Sequence, residues 1–306
     1  MKILLTAVGS PGKASLAKAF MDYGFYVVGV DIDPLAVGRF VCDKFYQVHK
    51  ASEPRFIPEL VQICTEHDID AILPSLEIEA RELKEYEHEF KHTKILSPRL
   101  NTIDVCNDKL KTHNFLKKIG VNVPDIYDAN TPSDKVFFPV MIKPRDGRGG
   151  DGINKALCPV ELRHYSKSNC IVEKYISGVE YTIDILSDLN GEPISIIPRT
   201  RIDVESGISM KGKTIYDKEI IETCRKIAKE LGLVGGSCIQ CIKGKEFMFT
   251  DINLRFGGGS LLAFKADPMM FKNLERIVMG EKAIKPDGFQ EGLTMLRYYA
   301  EVYIKE

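Results

Sequence analysis

The sequence predicts an α/β domain built on a doubly wound parallel sheet, followed by an α+β domain with an antiparallel sheet. Short apolar runs alternate with helical stretches over the first 98 residues, the rhythm of a sheet covered by helices on both faces. Beyond them, β-rich runs joined by two- and three-residue turns dominate. A chain of 306 residues suits this division, at ~150 residues per domain.

The elements follow in order. Residues 2–8 (KILLTAV) form a continuous apolar run ending at Gly9-Ser10-Pro11-Gly12, which reads as a buried strand entering a tight turn. A helix is expected over 13–23 and a second strand from Phe25 to Val30, closed by Asp31. A helix at 56–66, a strand at Asp70 to Leu73, a polar helix at 78–91 and a strand at Lys94 to Leu96 continue the pattern. Ser97-Pro98 then marks a boundary between residues 1–98 and residues 99–306. After it, a helix at 107–119 ends at Gly120, and a strand at 139–143 runs into the glycine-rich stretch 145–152. Asn190-Gly191 separates β-rich runs at 179–187 and 192–200, and Lys243-Gly244-Lys245 separates runs at 236–242 and 246–252, so both read as hairpins. Helices are expected at 217–231 and 268–279, and the weak alternation of 293–304 adds a last strand.

Composition narrows the function. Lys and Arg total 42 against 43 Asp and Glu, a formal charge of -1, so neither nucleic acid nor an anionic membrane is the expected partner. No apolar run reaches the ~18 residues of a membrane span. The eight cysteines have no framework spacing, which suits a reducing cytoplasm.

Three motifs carry less than their spelling suggests. His88-Glu89-Phe90-Lys91-His92 matches H-E-x-x-H, yet it ends a very polar helix and reads as a solvated face. Residues Ala7 to Ala14 approach a phosphate-binding loop, but Ala14 replaces the metal-binding hydroxyl and Pro11 has no N–H to donate. The turn also lacks G-x-G-x-x-G, which disfavours a dinucleotide-dependent oxidoreductase. Cys238 and Cys241 form a C-x-x-C within an expected strand, where the two-residue period puts them on opposite faces.

Four segments together suggest a nucleotide site. Lys143, at a strand end, precedes Arg145, Arg148 and a run of glycines, a loop able to fold over phosphate. The segment Glu173-Lys174-Tyr175-Ile176 leaves an apolar run into a glycine turn and offers backbone groups to a base, with Glu180 beyond it as an acceptor for ribose hydroxyls. Gln240 precedes a strand in which Asp251, Asn253 and Arg255 share one face; two oxygen ligands followed by a guanidinium suit Mg²⁺ and phosphate. Lys109, near an expected helix start, supplies a further cation.

In this order and spacing the segments resemble the ATP-grasp superfamily, in particular the branch of carbamoyl phosphate synthetase large-subunit domains. The resemblance implies a pre-ATP-grasp domain over 1–98 and an ATP-grasp body over 99–306 with a lid subdomain at about 113–175. It implies that Lys109 and Lys143 bind phosphates, with Arg148 in the lid loop over them. Residues 173–176 would bind adenine, Glu180 ribose, and Gln240, Asp251 and Asn253 the metal. Arg255 would steady the transferred phosphoryl group, and Arg199, with Arg201 and Gly207, would lie beside the triphosphate. Asp251 and Leu254 depart from the family's usual glutamate and proline, which leaves one or two metal ions open.

The activity so implied is ATP-dependent joining of a carboxylate to an amine through an acyl phosphate, with ATP and Mg²⁺ (or Mn²⁺) as cofactors. Small-molecule substrates, amino acids among them, would be the partners, and a homodimer is left open. Glu77 and Glu79 are weak candidates for a substrate ammonium, against the plain alternative of helix-start acids. Rival readings are a carbamate- or bicarbonate-phosphorylating enzyme and a non-catalytic ATP-binding protein.

Overall fold

A computed structural model describes residues 1–127, 131, 135–146, 152–205 and 207–304. The first part is a five-stranded parallel sheet of β1 (Lys2–Thr6), β2 (Tyr26–Asp31), β3 (Lys44–Gln47), β4 (Ala71–Leu73) and β5 (Lys94–Ile95), in the order β3-β2-β1-β4-β5. The order reverses between β1 and β4, so the crevice at the strands' carboxyl ends opens between the loops that follow them. The doubly wound class expected from the sequence is observed.

The two-residue period of β1 divides its side chains between two cores. Ile3 and Leu5 face α1 (Pro11–Tyr23) and the aromatic residues Phe264 and Phe271 of the second part. Leu4 faces α2 (Phe56–His67) and α3 (Glu77–Glu85) through Phe56, Leu60 and Leu83. Each such side chain, fully buried, contributes about 1.5–3 kcal/mol before entropy is counted. The turn into α1 has a local cause: Ser10 Oγ accepts from Lys13 N–H at 3.3 Å, Pro11 occupies the first helical position, and Gly24 closes the helix in the left-handed region at φ 106°.

The second part holds a six-stranded antiparallel sheet, in the order β14-β13-β10-β11-β12-β15. Its strands are β10 (Val179–Ser187), β11 (Pro193–Glu205), β12 (Ile208–Thr214), β13 (Gly235–Lys243), β14 (Phe247–Asn253) and β15 (Thr294–Leu296). One face packs on α7 (Lys218–Leu231), whose Ile220, Cys224, Ile227 and Leu231 meet Ile183, Ile185 and Ile239. The other face forms the floor of a cleft. A four-stranded sheet of β6 (Ile126–Tyr127), β7 (Val140–Pro144), β8 (Asn154–Ala156) and β9 (Cys170–Lys174), in the order β6-β9-β7-β8, forms the opposite wall.

Both expected hairpins are present, around Asn190-Gly191 and Gly244. Other elements differ from expectation. The polar helix stops at Glu85 and gives way to a 3₁₀ turn at Glu87–Glu89. Acidic residues crowd its end, where the helix dipole and the Glu85/Glu89 spacing both oppose continuation. The chain end contributes only the three residues of β15. The helix expected over 107–119 begins at Lys109 as α5 (Lys109–Lys118), after a separate α4 (Leu100–Cys106). The strands β3, β6 and β8 and the helices α4, α6 (Pro159–Tyr165) and α8 (Leu261–Ala266) are too short for a clear periodic signal, and the seven residues of β12 (ISMKGKT) hold too few apolar side chains for one. Among the described residues, no helix is long and apolar enough to cross a membrane.

Candidate active site

The cleft between the two antiparallel sheets is a cavity of about 360 Å³. Every predicted site residue lines it except Arg148, which lies outside the described residues with the rest of 147–151. Lys109, Lys143, Glu173, Lys174, Tyr175, Ile176 and Glu180 line one part. Arg199, Gln240, Asp251, Asn253 and Arg255 line the other, with Gly257, Gly258 and Gly259 beyond them.

Antiparallel pairing places the oxygen donors. Gln240 on β13 is opposite Asp251 on β14, and Cys238 is opposite Asn253, with a bulge next to Gln240. Asn253 Oδ1 accepts from Arg255 Nη1 at 2.8 Å. Among the described residues there is no cluster of three His, Cys, Asp or Glu suited to a metal, so a cation here would take part of its coordination from amide oxygens and from a ligand.

Several of the cavity's cations are paired with carboxylates. Lys143 Nζ lies 2.5 Å from Glu173 Oε2, both groups being buried. Arg201 bonds Glu180 and donates to Gly207 O at 3.0 Å. Arg255 bonds Glu77 across 178 residues of sequence. Arg145 grips Asp108, the N-cap of α5, and Lys109 N–H donates to Arg145 O at 3.0 Å, so the end of β7 is locked to the helix that carries Lys109. Burial opposes the Asp108 charge, but Arg145 and two backbone N–H groups hold its carboxyl below the usual range. In the hinge, the N–H groups of Lys174 and Tyr175 are donated to Asp125 O and Pro139 O, and Lys155 Nζ lies 3.9 Å from the Tyr175 ring centroid.

Arg199 is anchored by a network that sequence reasoning missed. Asp184, fully buried in β10, accepts from Arg199 Nε at 2.7 Å, Cys238 Sγ at 3.0 Å and Ser260 Oγ, while Ser209 Oγ accepts from Arg199 Nη1 at 3.1 Å. The available signal was an aspartate flanked by isoleucines in an apolar strand. Burial, reinforced by Asp184, pushes the Cys238 thiol up to about 12, which keeps it neutral. Cys241 lies on the other face, in the core with Cys224.

Glu77 and Glu79 separate in role. Glu79 caps its own helix, accepting from Thr6 Oγ1 at 2.5 Å and Leu76 N–H at 3.0 Å. Only Glu77 reaches a cavity residue, Arg255. His88 lies in the 3₁₀ turn and His92 beyond it, so the two imidazoles do not share a helix face. Lys13 of the phosphate-loop-like turn is buried and donates to Phe256 O at 2.7 Å.

Comparison with known proteins bears on the family and the fold. Residues 106–259 match the ATP-grasp domain and residues 3–96 match the PylC-like N-terminal domain. Carbamoyl-phosphate synthase of Methanobrevibacter smithii is 28% identical over 219 residues, covering 64% of this chain and 58% of that protein. The carbamoyl phosphate synthase large chain of Thermoanaerobacter sp. is 29% identical over 227 residues, covering 65% of this chain and 21% of that protein. The chain therefore spans less than two thirds of either relative's length. N5-carboxyaminoimidazole synthetase of Staphylococcus aureus, solved with ADP, shares the fold with a TM-score of 0.75 at 20% identity, over 95% of this chain and 79% of that one. The biotin carboxylase domain of Hydrogenobacter thermophilus 2-oxoglutarate carboxylase, solved with MgADP and bicarbonate, has a TM-score of 0.74 at 18% identity, over 96% and 73%. With the family's domain matched over half its length, the chain belongs to the ATP-grasp family.

Proposed function

We propose that the chain is an ATP- and Mg²⁺-dependent ligase that activates a carboxylate as an acyl phosphate and joins it to an amine, releasing ADP and phosphate. The observation that carries this reading is the convergence in one cavity of Lys109, Lys143, Arg199 and Arg255 with Gln240, Asp251 and Asn253. Cations and oxygen donors from four separate strands, the segment that follows β14 and a helix suit a polyphosphate with its metal. In this reading residues 1–98 form the pre-ATP-grasp domain and 99–306 the ATP-grasp body.

Residues 173–176 border the adenine, and Glu180 exchanges Arg201 for the ribose hydroxyls. Lys109, Lys143 and Arg199 bind the phosphates. Gln240, Asp251 and Asn253 hold Mg²⁺, or Mn²⁺, which shares its preference for oxygen ligands. Bound there, the ion supplies charge neutralisation along the triphosphate. The acid's carboxylate oxygen attacks the γ-phosphorus as the bond to ADP breaks. The amine then attacks the acyl carbon, loses a proton, and phosphate departs. Arg255 stabilises the oxygens that gain charge during transfer, so its contribution is largest in the transition state.

The test has two stages. MgATP at 100 times its Kd should stabilise the fold by about 2.7 kcal/mol, read as a rise in Tm. A panel of acids and amines should then show pair-dependent release of ADP and phosphate. Arg255→Ala should lower kcat by about 10²–10³-fold with little change in ATP Kd, whereas Glu180→Ala should weaken ATP binding more than turnover at saturation. No MgATP shift, or a folded Arg255→Ala protein with normal kcat, would overturn the reading.

A further inference from the structure

A second cavity, of about 460 Å³, flanks the nucleotide cleft and shares none of its lining residues. It lies between α5 and the extended segment that leads from that helix into β6. The helical period puts Leu110, His113, Asn114 and Lys117 on one face of α5, and all four line the cavity. Val123 and Asp125 of the segment and Met248 of β14 lie across from them.

The same elements reach the cleft. Lys109, at the start of α5, and Pro124, in the segment, line the nucleotide cavity. His113 Nε2 donates to Pro124 O at 2.9 Å, and Asn122 O accepts from Phe249 N–H at 2.9 Å. Asp125 O accepts from Lys174 N–H at 2.8 Å, in the segment assigned to the adenine. A molecule wedged between α5 and residues 121–126 therefore acts on the backbone that positions Lys174.

The walls select a ligand. His113 is only 8% exposed, and its Nδ1 is shielded with no hydrogen-bond partner among the described residues, so this wall is one hydrogen bond short. Lys117 and Asp125 are exposed, and neither charge is matched among the described residues. A polyanion would meet the Asp125 carboxylate and a simple amine the Lys117 ammonium, whereas a zwitterion satisfies both. Its ammonium suits Asp125 and the imidazole, and its carboxylate suits Lys117 and the Asn114 amide. Leu110, Val123 and Met248, all half-buried, add an apolar side that favours a hydrocarbon or thioether side chain.

We propose that this cavity is an effector site for a free apolar amino acid, coupled to the nucleotide cleft through Pro124 and Asp125. The coupling rests on the nucleotide reading; the binding does not. Filling the cavity holds Asp125 O in place for Lys174, so the effector favours the nucleotide-bound state and each ligand tightens the other by one factor.

The experiment uses the full chain. L-Leucine and L-methionine are titrated without nucleotide while Tm and heats of binding are recorded; N-acetyl-L-leucine, lacking the ammonium, and L-leucinamide, lacking the carboxylate, are the controls. The amino acids should raise the Tm and bind at least tenfold more tightly than either control. Lys117→Gln and Asp125→Asn should each weaken L-leucine about tenfold, the loss of one charge-assisted hydrogen bond, with MgATP affinity in the absence of amino acid unchanged. Saturating L-leucine should tighten MgATP about fivefold, and MgATP should tighten L-leucine equally. Amino-acid binding that survives both substitutions would lie elsewhere and overturn the proposal. So would a wild type indifferent to both amino acids, or an MgATP Kd that L-leucine leaves unchanged. Failure of the wild type to bind MgATP would strike the nucleotide reading, a result separable from the titrations without nucleotide.

Discussion

The glycine turns of the two parts pack against each other and have opposite uses. Gly9–Gly12 stands where a doubly wound sheet ordinarily admits a ligand, at the carboxyl end of β1. Here that position is filled with protein. Gly9 N–H donates to Asp31 at 2.7 Å, Thr6 bonds Glu79, Lys13 reaches into the second part, and a Cβ at Gly12 would meet Gly258 Cα at 2.8 Å. Gly257–Gly259, on the opposite side of that contact, lines the open cavity. A glycine turn is thus no evidence of a ligand site until its donors and its space are accounted for. In the first part both are consumed by packing. In the second an open cavity remains, and Lys143, Arg199, Arg201 and Arg255 around it are each matched to a carboxylate.

Three substitutions probe this contrast. The largest effect is expected at the anchor of the open cavity. Asp184→Ala leaves Arg199 buried without its partner and should cost about 3–5 kcal/mol, measured from the urea midpoint and slope. A cost below about 1 kcal/mol would show that Asp184 does not anchor Arg199. A smaller effect is expected at the filled turn. Gly12→Ala forces a methyl against Gly258, an overpacking cost of about 1–3 kcal/mol partly offset by ~1 kcal/mol of helix propensity. If the two glycines couple the parts, turnover should fall with ATP Kd unchanged; unchanged turnover would confine the contact to packing.

The smallest effect concerns pH. Burial, followed by the charge of Arg255, lowers the Lys13 pKa to about 7. The unfolded chain keeps an ordinary lysine, so between about pH 7 and 10 it binds more protons than the folded chain, and stability from this group rises with pH. Below pH 7 both states are protonated and the full cost of burying the charge is present. Lys13→Met should therefore remove an upward component of stability between about pH 7 and 8.5, a window below the ordinary thiol range. Identical pH slopes for wild type and variant would show that Lys13 stays charged.

Much of the site was legible because its chemistry is local. Asp251, Asn253 and Arg255 share a strand face by simple alternation, and Lys143 ends a strand before a glycine run, so all were identifiable as single segments. Asp184 was harder, since an acid in an apolar strand declares itself buried without declaring its partner. Glu180 was legible as an acceptor and Glu173 as part of a base-binding segment, but their pairing with Arg201 and Lys143 was not. The polar helix was overextended because its pattern of charged residues says nothing about how the dipole meets them at the end.

By itself, the sequence determined the two sheet types, the hairpin turns and the residue types that line the candidate site. These depend on periodicity and on the conformations that glycine, proline and capping residues allow within a few positions. Only the tertiary structure decided that Lys13 closes the first part's crevice, that Glu77 meets Arg255, and that Arg297 returns to Gly258. Those pairings join residues far apart in the chain, and Coulomb and desolvation energies depend on where groups meet in space, a distance that no local pattern encodes.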